Sequence, residues 1–417
     1  MTRRFEDYVS LGDAQKKLRR LARPRFSREL VPLAAAYGRI VFEDVVSSCN
    51  IPAMDSSHMD GYAVRASDLS GASPDNPVRL RVVKGPPLGV LPRRRVKQGD
   101  AQTVLTGGFI PPGADAVVQV ERTELSGRRV VFRRAASRGD FVFAAGRDVS
   151  KGDVVLRRGR VLRGQDLVLI GSLHRDRVPV FAKPRVAVIP TGSELTEDIL
   201  DDRPGKVVET HGLLLSKLIA EAGGLPVQMP VAKDDLGAIR SALRVALRTA
   251  DIVLTLAGSS VGEADLTETA IDSLGEPGVV VHGMKVHRGR VMGFGVVKGR
   301  AVVILPGPIQ GAVNAFAVMA YPLIRSFLGR GFEEPPSIPA VMANSWEADR
   351  YPDFTKVLYA KLETTGREAR VRVSTAETEK MTFLTQNDGY ILADEKTAAL
   401  ARGDPVRFYV LPGLSSL

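Results

Sequence analysis

The pattern of hydrophobic and polar positions divides the chain into regions of different predicted structure. Apolar residues recur at nearly helical spacing between Tyr8 and Leu21, which predicts that residues 1–40 are helical. After that, short β-rich runs alternate with Pro and Gly turns, as is typical of a small β domain. We therefore predict a helical and linking domain built from residues 1–40 and 144–183, with a small β domain formed by residues 41–143.

A different pattern covers residues 184–330. Compact apolar runs at 185–189 and 251–256 are flanked by loops, which predicts buried strands. Helical patterns follow at 210–222 and 238–247, and the first of these ends at a Gly-Gly pair. This alternation of strand and helix predicts a doubly wound α/β domain, with a parallel sheet covered by helices on both faces.

The last region begins after a proline pair at 335–336, which is typical of a linker. Three β-rich runs beyond it, at 355–359, 369–373 and 407–410, predict a C-terminal β-barrel-like domain over residues 335–417. The predicted fold class is therefore multidomain α/β plus β.

Composition narrows the class of protein. A chain of 417 residues with 44% hydrophobic content can form more than one core. It contains neither a signal-peptide pattern nor an apolar run of about 18 residues, so we expect a cytoplasmic protein without a membrane partner. The single Cys49 excludes an intrachain disulfide and a multi-thiolate zinc site.

The net charge of +11 favours an anionic partner but does not identify it. The basic clusters at 93–95 and 157–160 lack interleaved aromatic residues, which are typical of surfaces that stack single-stranded nucleic acid. We therefore interpret these clusters as solvated surface rather than as a nucleic-acid interface.

The loop that follows the first predicted strand of the α/β domain is the first candidate site. In a doubly wound sheet, ligands bind beyond the carboxyl ends of the strands. Thr191, Gly192, Ser193 and Glu194 place hydroxyls, a glycine and a carboxylate in this loop, and its amides could hold an oxyanion. The alternative is a polar turn in which Ser or Thr caps the next helix.

The loop after the second strand is the second candidate. Gly258, Ser260 and Gly262 would allow the backbone to approach a phosphate, and Glu263 and Asp265 follow at once. Carboxylates beside a phosphate would repel it unless a hard cation such as Mg²⁺ lay between them, so we predict metal-assisted chemistry at a phosphoanhydride. The alternative is that both carboxylates only stabilise the N-terminus of the next helix.

Two further segments are candidates at the same edge. Pro306 and Gly307 lie in a loop after the strand at 301–304, although this loop could equally be a rigid connector. Arg290, in the basic segment 287–290, could bind a phosphate through two parallel hydrogen bonds or remain solvated. The sequence has neither a P-loop nor a Gly-x-Ser-x-Gly elbow with a histidine partner, which argues against those routes of ATP and ester hydrolysis.

A long motif then connects the chain to a known family. The run Met-Asp-Ser-Ser-His-Met-Asp-Gly-Tyr-Ala-Val-Arg at 54–65 resembles the Asp-Asn-Ser-Ala-Met-Asp-Gly-Tyr-Ala-Val-Arg signature of the MoeA/gephyrin-E family of molybdopterin molybdenumtransferases. Further family motifs follow in the same order across nearly the whole chain, at 106–108, 112–118, 146–149, 191–195, 233–235 and 258–265.

The resemblance implies an elongated four-domain homodimer with a central, MogA-like molybdopterin-binding domain. It also implies an activity: insertion of molybdate or tungstate into adenylated molybdopterin, with Mg-dependent release of AMP. The catalytic residues that it implies in this sequence are Asp60, Asp148, Glu194, Asp234 and Asp265, together with Pro306 in the third loop. We hypothesise that Glu194 and Asp265 hold the cation while Ser260 and the glycine amides bind phosphate.

Several departures from the family pattern fall near the expected ligand. Where the family has Lys-Pro-Gly-Lys-Pro, this chain has His-Arg-Gly-Arg-Val at 287–291, and where it has Leu-Pro-Gly-Asn-Pro, this chain has Leu-Pro-Gly-Pro-Ile at 305–309. The positive charge is largely kept, but an Arg fork and a Lys point charge bind anions differently. The alternatives are therefore a paralogue that handles tungstate, or a non-catalytic molybdopterin-binding paralogue or scaffold.

Overall fold

The structure is a computed structural model that describes residues 8–257, 266–348, 351–365, 368–374 and 382–411. Two compact units make up the chain. One combines Met1–Glu29 with Phe181–Leu417, and the other is Leu30–Val180. Among the described helices, none has both the length and the apolar character needed to cross a membrane.

The N-terminal segment forms one short helix, α1 (Leu11–Leu21). The Ser10 hydroxyl caps it by accepting a hydrogen bond from the Asp13 amide at 3.1 Å, and Leu18 is fully buried in the core of the larger unit. The prediction of helix over residues 1–40 was therefore too long. Pro24 follows closely and cannot continue a helix, and strand structure begins within the next few residues.

The unit Leu30–Val180 is mainly β, and its first and last strands extend just past its bounds. Its elements are β1 (Arg28–Pro32), β2 (Val45–Val46), β3 (Ser56–Ser57), β4 (Gly61–Val64), β5 (Val78–Val83), β6 (Asp100–Val104), β7 (Ala116–Gln119), β8 (Thr123–Ser126), β9 (Arg129–Phe132), β10 (Val142–Phe143), β11 (Val154–Leu156), α2 (Gly164–Ser172) and β12 (Arg177–Phe181). A six-stranded sheet in the order β7-β4-β6-β5-β9-β8 forms its larger part, around buried Leu69, Val130 and Phe132.

Shorter pairings complete this unit. Strand β1 pairs with β12, β2 with β11, and β3 with β10. Around them lies a second core that includes Val41, Ile170 and Val180. The β3–β10 pair is antiparallel, with Val142 opposite Ser57, and it brings the segment that contains the family signature beside the segment that follows β10.

The α/β part of the larger unit follows the predicted alternation. Its elements are β13 (Arg185–Pro190), β14 (Leu195–Thr196), β15 (Val207–Val208), α3 (His211–Glu221), β16 (Leu225–Gln228), α4 (Leu236–Thr249), β17 (Ile252–Ala257), α5 (Leu266–Asp272), β18 (Pro277–His282), β19 (Gly293–Val297), β20 (Arg300–Pro306), α6 (Ile309–Ala315), a π-helical turn (Phe316–Ala320) and α7 (Tyr321–Phe327).

A six-stranded sheet in the order β16-β13-β17-β20-β19-β18 forms the centre of this part. The first four strands are mutually parallel, and β19 runs antiparallel to both neighbours. Alternate residues of β13 face opposite sides: Val186 and Val188 pack in the core that contains α3, whereas Ala187 and Ile189 pack in the core that contains α4. The doubly wound α/β prediction is confirmed.

The C-terminal region is a closed barrel of five strands in the order β21-β24-β23-β25-β27. Its elements are β21 (Ser337–Met342), β22 (Trp346–Glu347), β23 (Lys356–Thr365), β24 (Glu368–Val373), α8 (Thr382–Thr385), β25 (Gly389–Ala393), β26 (Ala399–Leu400) and β27 (Pro405–Val410). Buried Val371, Ile391 and Phe408 fill the barrel. The predicted class of multidomain α/β plus β is therefore confirmed.

Candidate active site

The candidate site lies at the edge of the α/β sheet where the parallel strands end. The strand register places Pro190 beside Leu256 and Ala257 beside Pro306, so β13, β17 and β20 end together. Strand β18 points in the same direction as β20, and its connection to β19 therefore leaves from the same edge. The loops after β13 and β20 and the basic segment 287–290 meet at this edge, as the sequence predicts.

Buried backbone contacts anchor the loop after β13 to the sheet. Both the amide and the hydroxyl of Thr191 donate to the Leu256 carbonyl, at 3.0 and 2.7 Å. The Gly192 amide donates to the Ala232 carbonyl at 3.0 Å. Sequence reasoning assigned Thr191 and the loop amides to a ligand, but in the structure these groups are bonded to the protein, because they join the loop to its neighbours.

Ser193 and Asp234 form a reciprocal clamp. The Ser193 amide donates to the Asp234 carboxylate at 2.8 Å, and the Asp234 amide donates to the Ser193 hydroxyl oxygen at 3.1 Å. The adjacent Asp235 has a different task, since its carboxylate caps α4 through the amides of Gly237 and Ala238. The exposed Ser193 hydroxyl keeps its own proton to donate.

Glu194 presents a carboxylate beside this clamp. Its side chain is exposed and has no hydrogen-bond or ion-pair partner within the described part of the chain. A Cβ at position 192 would lie 2.8 Å from a Glu194 carboxylate oxygen, so the glycine there allows this carboxylate its position. The structure therefore leaves Glu194 available for a ligand or a cation.

The loop after β20 contacts a histidine that sequence reasoning did not select. His211 begins α3, and its imidazole lies close to the backbone of Gly307. Burial lowers the pKa of His211, against the opposing effects of the Glu209 carboxylate and of the Gly307 backbone. The only signal in the sequence was that a polar residue stands at the start of a predicted helix.

The basic segment is held by the C-terminal region. Arg290 donates to the Tyr351 hydroxyl at 3.0 Å, and its guanidinium carbon lies 5.0 Å from the centre of the Tyr351 ring. The paired hydrogen bonds to phosphate that the sequence predicts for Arg290 therefore compete with its contact to Tyr351 within the protein. Arg288, by contrast, has an exposed side chain with no partner among the described residues.

A buried polar chain links this segment to the barrel. The Tyr359 hydroxyl on β23 donates to the Asn314 side-chain oxygen on α6 at 2.9 Å, and the Asn314 amide group donates to the Arg288 carbonyl at 3.5 Å. Asn314 is 1% exposed, and burial raises the pKa of Tyr359 above 10. A Cβ at Gly311 would lie within 3.0 Å of both Pro306 and the Arg288 carbonyl, so α6 packs tightly on both loops.

Two candidate aspartates lie in the other unit. The Asp60 carboxylate is exposed and accepts bonds from the Thr106 amide at 2.6 Å and the Thr106 hydroxyl at 2.7 Å. These bonds, the amide first, hold the pKa of Asp60 below its usual range. Thr106 belongs to the family motif at 106–108, so two motifs distant in sequence meet here.

Asp148 follows β10 in the same unit. Its amide donates to the Ile51 carbonyl at 3.0 Å, and the Ala145 amide donates to the Asp55 carboxylate at 2.8 Å. The structure thus joins the segment at 144–149 to the start of the signature. The Asp148 carboxylate is exposed and has no partner among the described residues.

Part of the predicted site lies outside the described residues. This holds for Gly258, Ser260, Gly262 and Asp265, and so for one of the two predicted cation ligands. In the ranges that the structure describes, no three His, Cys, Asp or Glu side chains come together as metal ligands.

Two segments of the chain match known families. Residues 9–173 match the family described as "MoeA N-terminal region (domain I and II)", and residues 187–326 match the "Probable molybdopterin binding domain".

Individual proteins give the same result. The chain is 34% identical over 324 residues to molybdopterin molybdenumtransferase 2 of Mycobacterium tuberculosis, covering 77% of this chain and 80% of that protein. It is 30% identical over 332 residues to the molybdopterin molybdenumtransferase of Nostoc, covering 79% and 72%. Its fold is similar to the crystal structure of the molybdopterin biosynthesis MoeA protein of Pyrococcus horikoshii, with a TM-score of 0.87, 30% identity, and coverage of 97% and 100%.

Proposed function

The chain belongs to the MoeA family of molybdopterin molybdenumtransferases, and from this membership we propose that it inserts molybdate or tungstate into adenylated molybdopterin with release of AMP. The proposal includes a cytoplasmic homodimer, in which the α/β domain of one subunit faces the small β domain of the other. Within this assembly, Asp60 and Asp148 would complete the site formed at the sheet edge.

One observation carries the proposal. At the carboxyl edge of the sheet, in the region that matches a molybdopterin-binding domain, an exposed carboxylate, an exposed hydroxyl and an exposed guanidinium stand on loops with fixed backbones. These groups are Glu194, Ser193 and Arg288. A site that binds a pterin nucleotide requires positive charge and hydrogen-bond donors for the phosphates, and rigid loops that preserve their geometry.

The roles follow from the contacts. Arg288 and the Ser193 hydroxyl donate to the anionic substrate, since both are exposed and retain donors. Asp234 is a positioning residue, because its carboxylate holds the Ser193 amide. Asn314 holds the segment 287–290 through the Arg288 carbonyl, and His211 lies beside Gly307 in the loop at 306–308. The sequence motif alone assigns phosphate binding by backbone amides to residues 258–262, which lie outside the described residues.

The divalent cation of the proposal is Mg²⁺. Glu194 fits a role in holding it together with Asp265, because its carboxylate is an oxygen ligand without a protein partner in the described ranges. When bound, the cation would supply a Lewis acid that neutralises charge on the phosphoanhydride.

Incubation of the purified protein with adenylated molybdopterin, Mg²⁺ and either molybdate or tungstate tests the proposal. AMP and metal-loaded cofactor should form together in equal amounts, and the faster of the two oxyanions identifies the metal. Tight binding of adenylated molybdopterin with no AMP over many hours would overturn the proposal, and would instead support a non-catalytic molybdopterin-binding paralogue or scaffold.

A further inference from the structure

A second polar cavity lies at the opposite edge of the same sheet, where the parallel strands begin. Its volume is about 200 Å³. The end of α4, the segment after α5 and the β19–β20 turn surround it. Its lining consists of Arg244, Leu247, Arg248, Leu274, Val297, Lys298 and Arg300. Four cations therefore surround a floor of three apolar side chains.

Three of these four cations have no counter-ion among the described residues. Within the described ranges, Arg244, Arg248 and Lys298 make no hydrogen bond or ion pair through their side chains. Arg300 is the exception, since it donates to the Ala250 carbonyl and lies 4.0 Å from the Asp251 carboxylate. Like charges at i and i+4 on a helix repel each other weakly, and an anion bound between Arg244 and Arg248 would relieve this repulsion.

The backbone conformation of Lys298 is an independent observation that also favours an anion in this cavity. It occupies the first central position of the two-residue turn Lys298–Gly299, between paired Val297 and Arg300, with φ +51°. Hairpin turns of this type strongly favour Asn, Asp or Gly at that position, because other side chains are strained at positive φ. The aliphatic part of the Lys298 side chain packs against Gly275, because its Cγ lies 3.4 Å from the point where a Cβ of that glycine would stand. This contact directs the lysine side chain over the wall of the cavity.

A structural role accounts for only part of this cluster. Arg248 lies in the last turn of α4, where a cation stabilises the helix dipole. Arg244 is a full turn earlier and Lys298 belongs to another element, so the dipole does not explain them. Asp251, the nearby acidic group, is already engaged by Arg300 and by the Arg185 amide at 2.8 Å.

We propose that this cavity is a second anion-binding site, which takes the phosphate group of a small molecule. Its volume is below the range of about 300–1,000 Å³ that is usual for larger ligands, and it suits a phosphate or pyrophosphate rather than a whole pterin nucleotide. Guanidinium groups recognise phosphate through paired hydrogen bonds. The site is separate from the edge that carries Glu194, and its occupation does not depend on the transfer reaction.

Calorimetric titration of the full-length protein with inorganic pyrophosphate, inorganic phosphate and AMP tests the proposal at constant ionic strength. The Arg244→Gln/Lys298→Gln double variant should weaken pyrophosphate binding at one site by at least about tenfold, since charge-assisted bonds are lost. The charge-retaining variant Arg244→Lys/Lys298→Arg should recover most of it. Stronger binding of AMP than of phosphate would indicate that the apolar side chains of the cavity contact the nucleoside part of the ligand.

The matched control is Lys217→Gln/Arg402→Gln, which removes the same two charges from exposed positions on α3 and near the barrel. It should bind pyrophosphate like the wild type, and both double variants should keep the wild-type thermal midpoint. An isotherm that is unchanged in Arg244→Gln/Lys298→Gln, or equally weakened in the control, would overturn the proposal. Neither result bears on AMP release, so this test and the transfer assay fail independently.

Discussion

Two loops at the same sheet edge are held in opposite ways. The loop at 191–194 is fixed by its own polar groups. The Thr191 hydroxyl donates to the Leu256 carbonyl on β17, and the Ser193 amide donates to the Asp234 carboxylate. The basic segment at 287–290 is instead fixed from outside, by Asn314 on α6 and by Tyr351 in the C-terminal region. One part of the candidate site is therefore fixed by contacts within its own loop, whereas the other part depends on packing against α6 and the barrel.

Substitution at Asp234 should produce the largest effect, because it breaks the part that is fixed by its own loop. If Asp234 acts by holding the Ser193 amide, Asp234→Ala should lower kcat/KM for AMP release by about 100-fold, a loss expected from misplacement of a reacting group. Asp234→Asn retains an oxygen that accepts from the Ser193 amide, and should stay within about tenfold of the wild type. Equal losses in both variants would show that the charge itself is catalytic.

Asp235→Ala is the neighbouring control for that experiment. It removes the cap of α4 and should cost about 1 kcal/mol of stability in denaturant unfolding. Its effect on AMP release should be far smaller than that of Asp234→Ala, because the Asp235 carboxylate accepts from the amides of Gly237 and Ala238 on α4 and not from the Ser193 loop. A larger loss of AMP release in Asp235→Ala than in Asp234→Ala would contradict the role of the Ser193–Asp234 clamp.

Asn314→Leu tests the part that depends on packing. The substitution leaves the Tyr359 hydroxyl and the Arg288 carbonyl buried without their partner, which should cost about 2 kcal/mol in the free energy of unfolding. Because the Arg288 backbone is released, the KM for adenylated molybdopterin should also rise. Denaturant unfolding and initial-rate kinetics measure the two effects, and an unchanged KM would separate Arg288 from the site.

Tyr359→Phe should have a smaller effect through the same chain. It removes one hydrogen bond and leaves the Asn314 oxygen unpaired, at a cost of about 1 kcal/mol. Because both residues act through one network, the Asn314→Leu/Tyr359→Phe double variant should be little less stable than Asn314→Leu alone. Strictly additive losses would argue that the two side chains stabilise the protein separately.

The smallest expected effect concerns pH and His211. Its folded-state pKa lies below the ordinary value of 6.5, so the unfolded chain takes up a proton more readily than the folded one. The stability that the neutral histidine contributes is therefore fully present above about pH 6.5 and is lost as the pH falls through the folded-state pKa. Thermal midpoints at pH 7.5 and 5.5 should differ more for the wild type than for His211→Gln; an equal difference would refute this.

Much of the architecture could be predicted, because it depends on local periodicity. The strands at 185–190 and 252–257 and the helices at 211–221 and 236–249 lie within a few residues of their predicted bounds. The N-terminal helix was overextended because its apolar spacing extends only to Leu21, where α1 ends, and Pro24 then prevents the helix from continuing.

The site was predicted less completely. Motifs and strand ends identified the loops, but they did not show how the loops are held. The contacts of Asn314 with Tyr359 and of Arg290 with Tyr351 join residues 45 and 61 positions apart, and no periodicity reports such pairs. The bonds of the Thr191 and Gly192 amides to the carbonyls of Leu256 and Ala232 could not be predicted for the same reason, since these acceptors are distant in sequence.

The central claim is that the exposed Glu194 carboxylate at the sheet edge takes part in Mg²⁺-dependent transfer. The most direct measurement is AMP release as a function of Mg²⁺ concentration for the wild type, Glu194→Gln and the control Glu347→Gln, which changes an exposed carboxylate in the C-terminal region. We expect Glu194→Gln to be at least about 100-fold slower, with a higher Mg²⁺ requirement, and Glu347→Gln to match the wild type. Wild-type rates and an unchanged Mg²⁺ requirement in Glu194→Gln would contradict the claim.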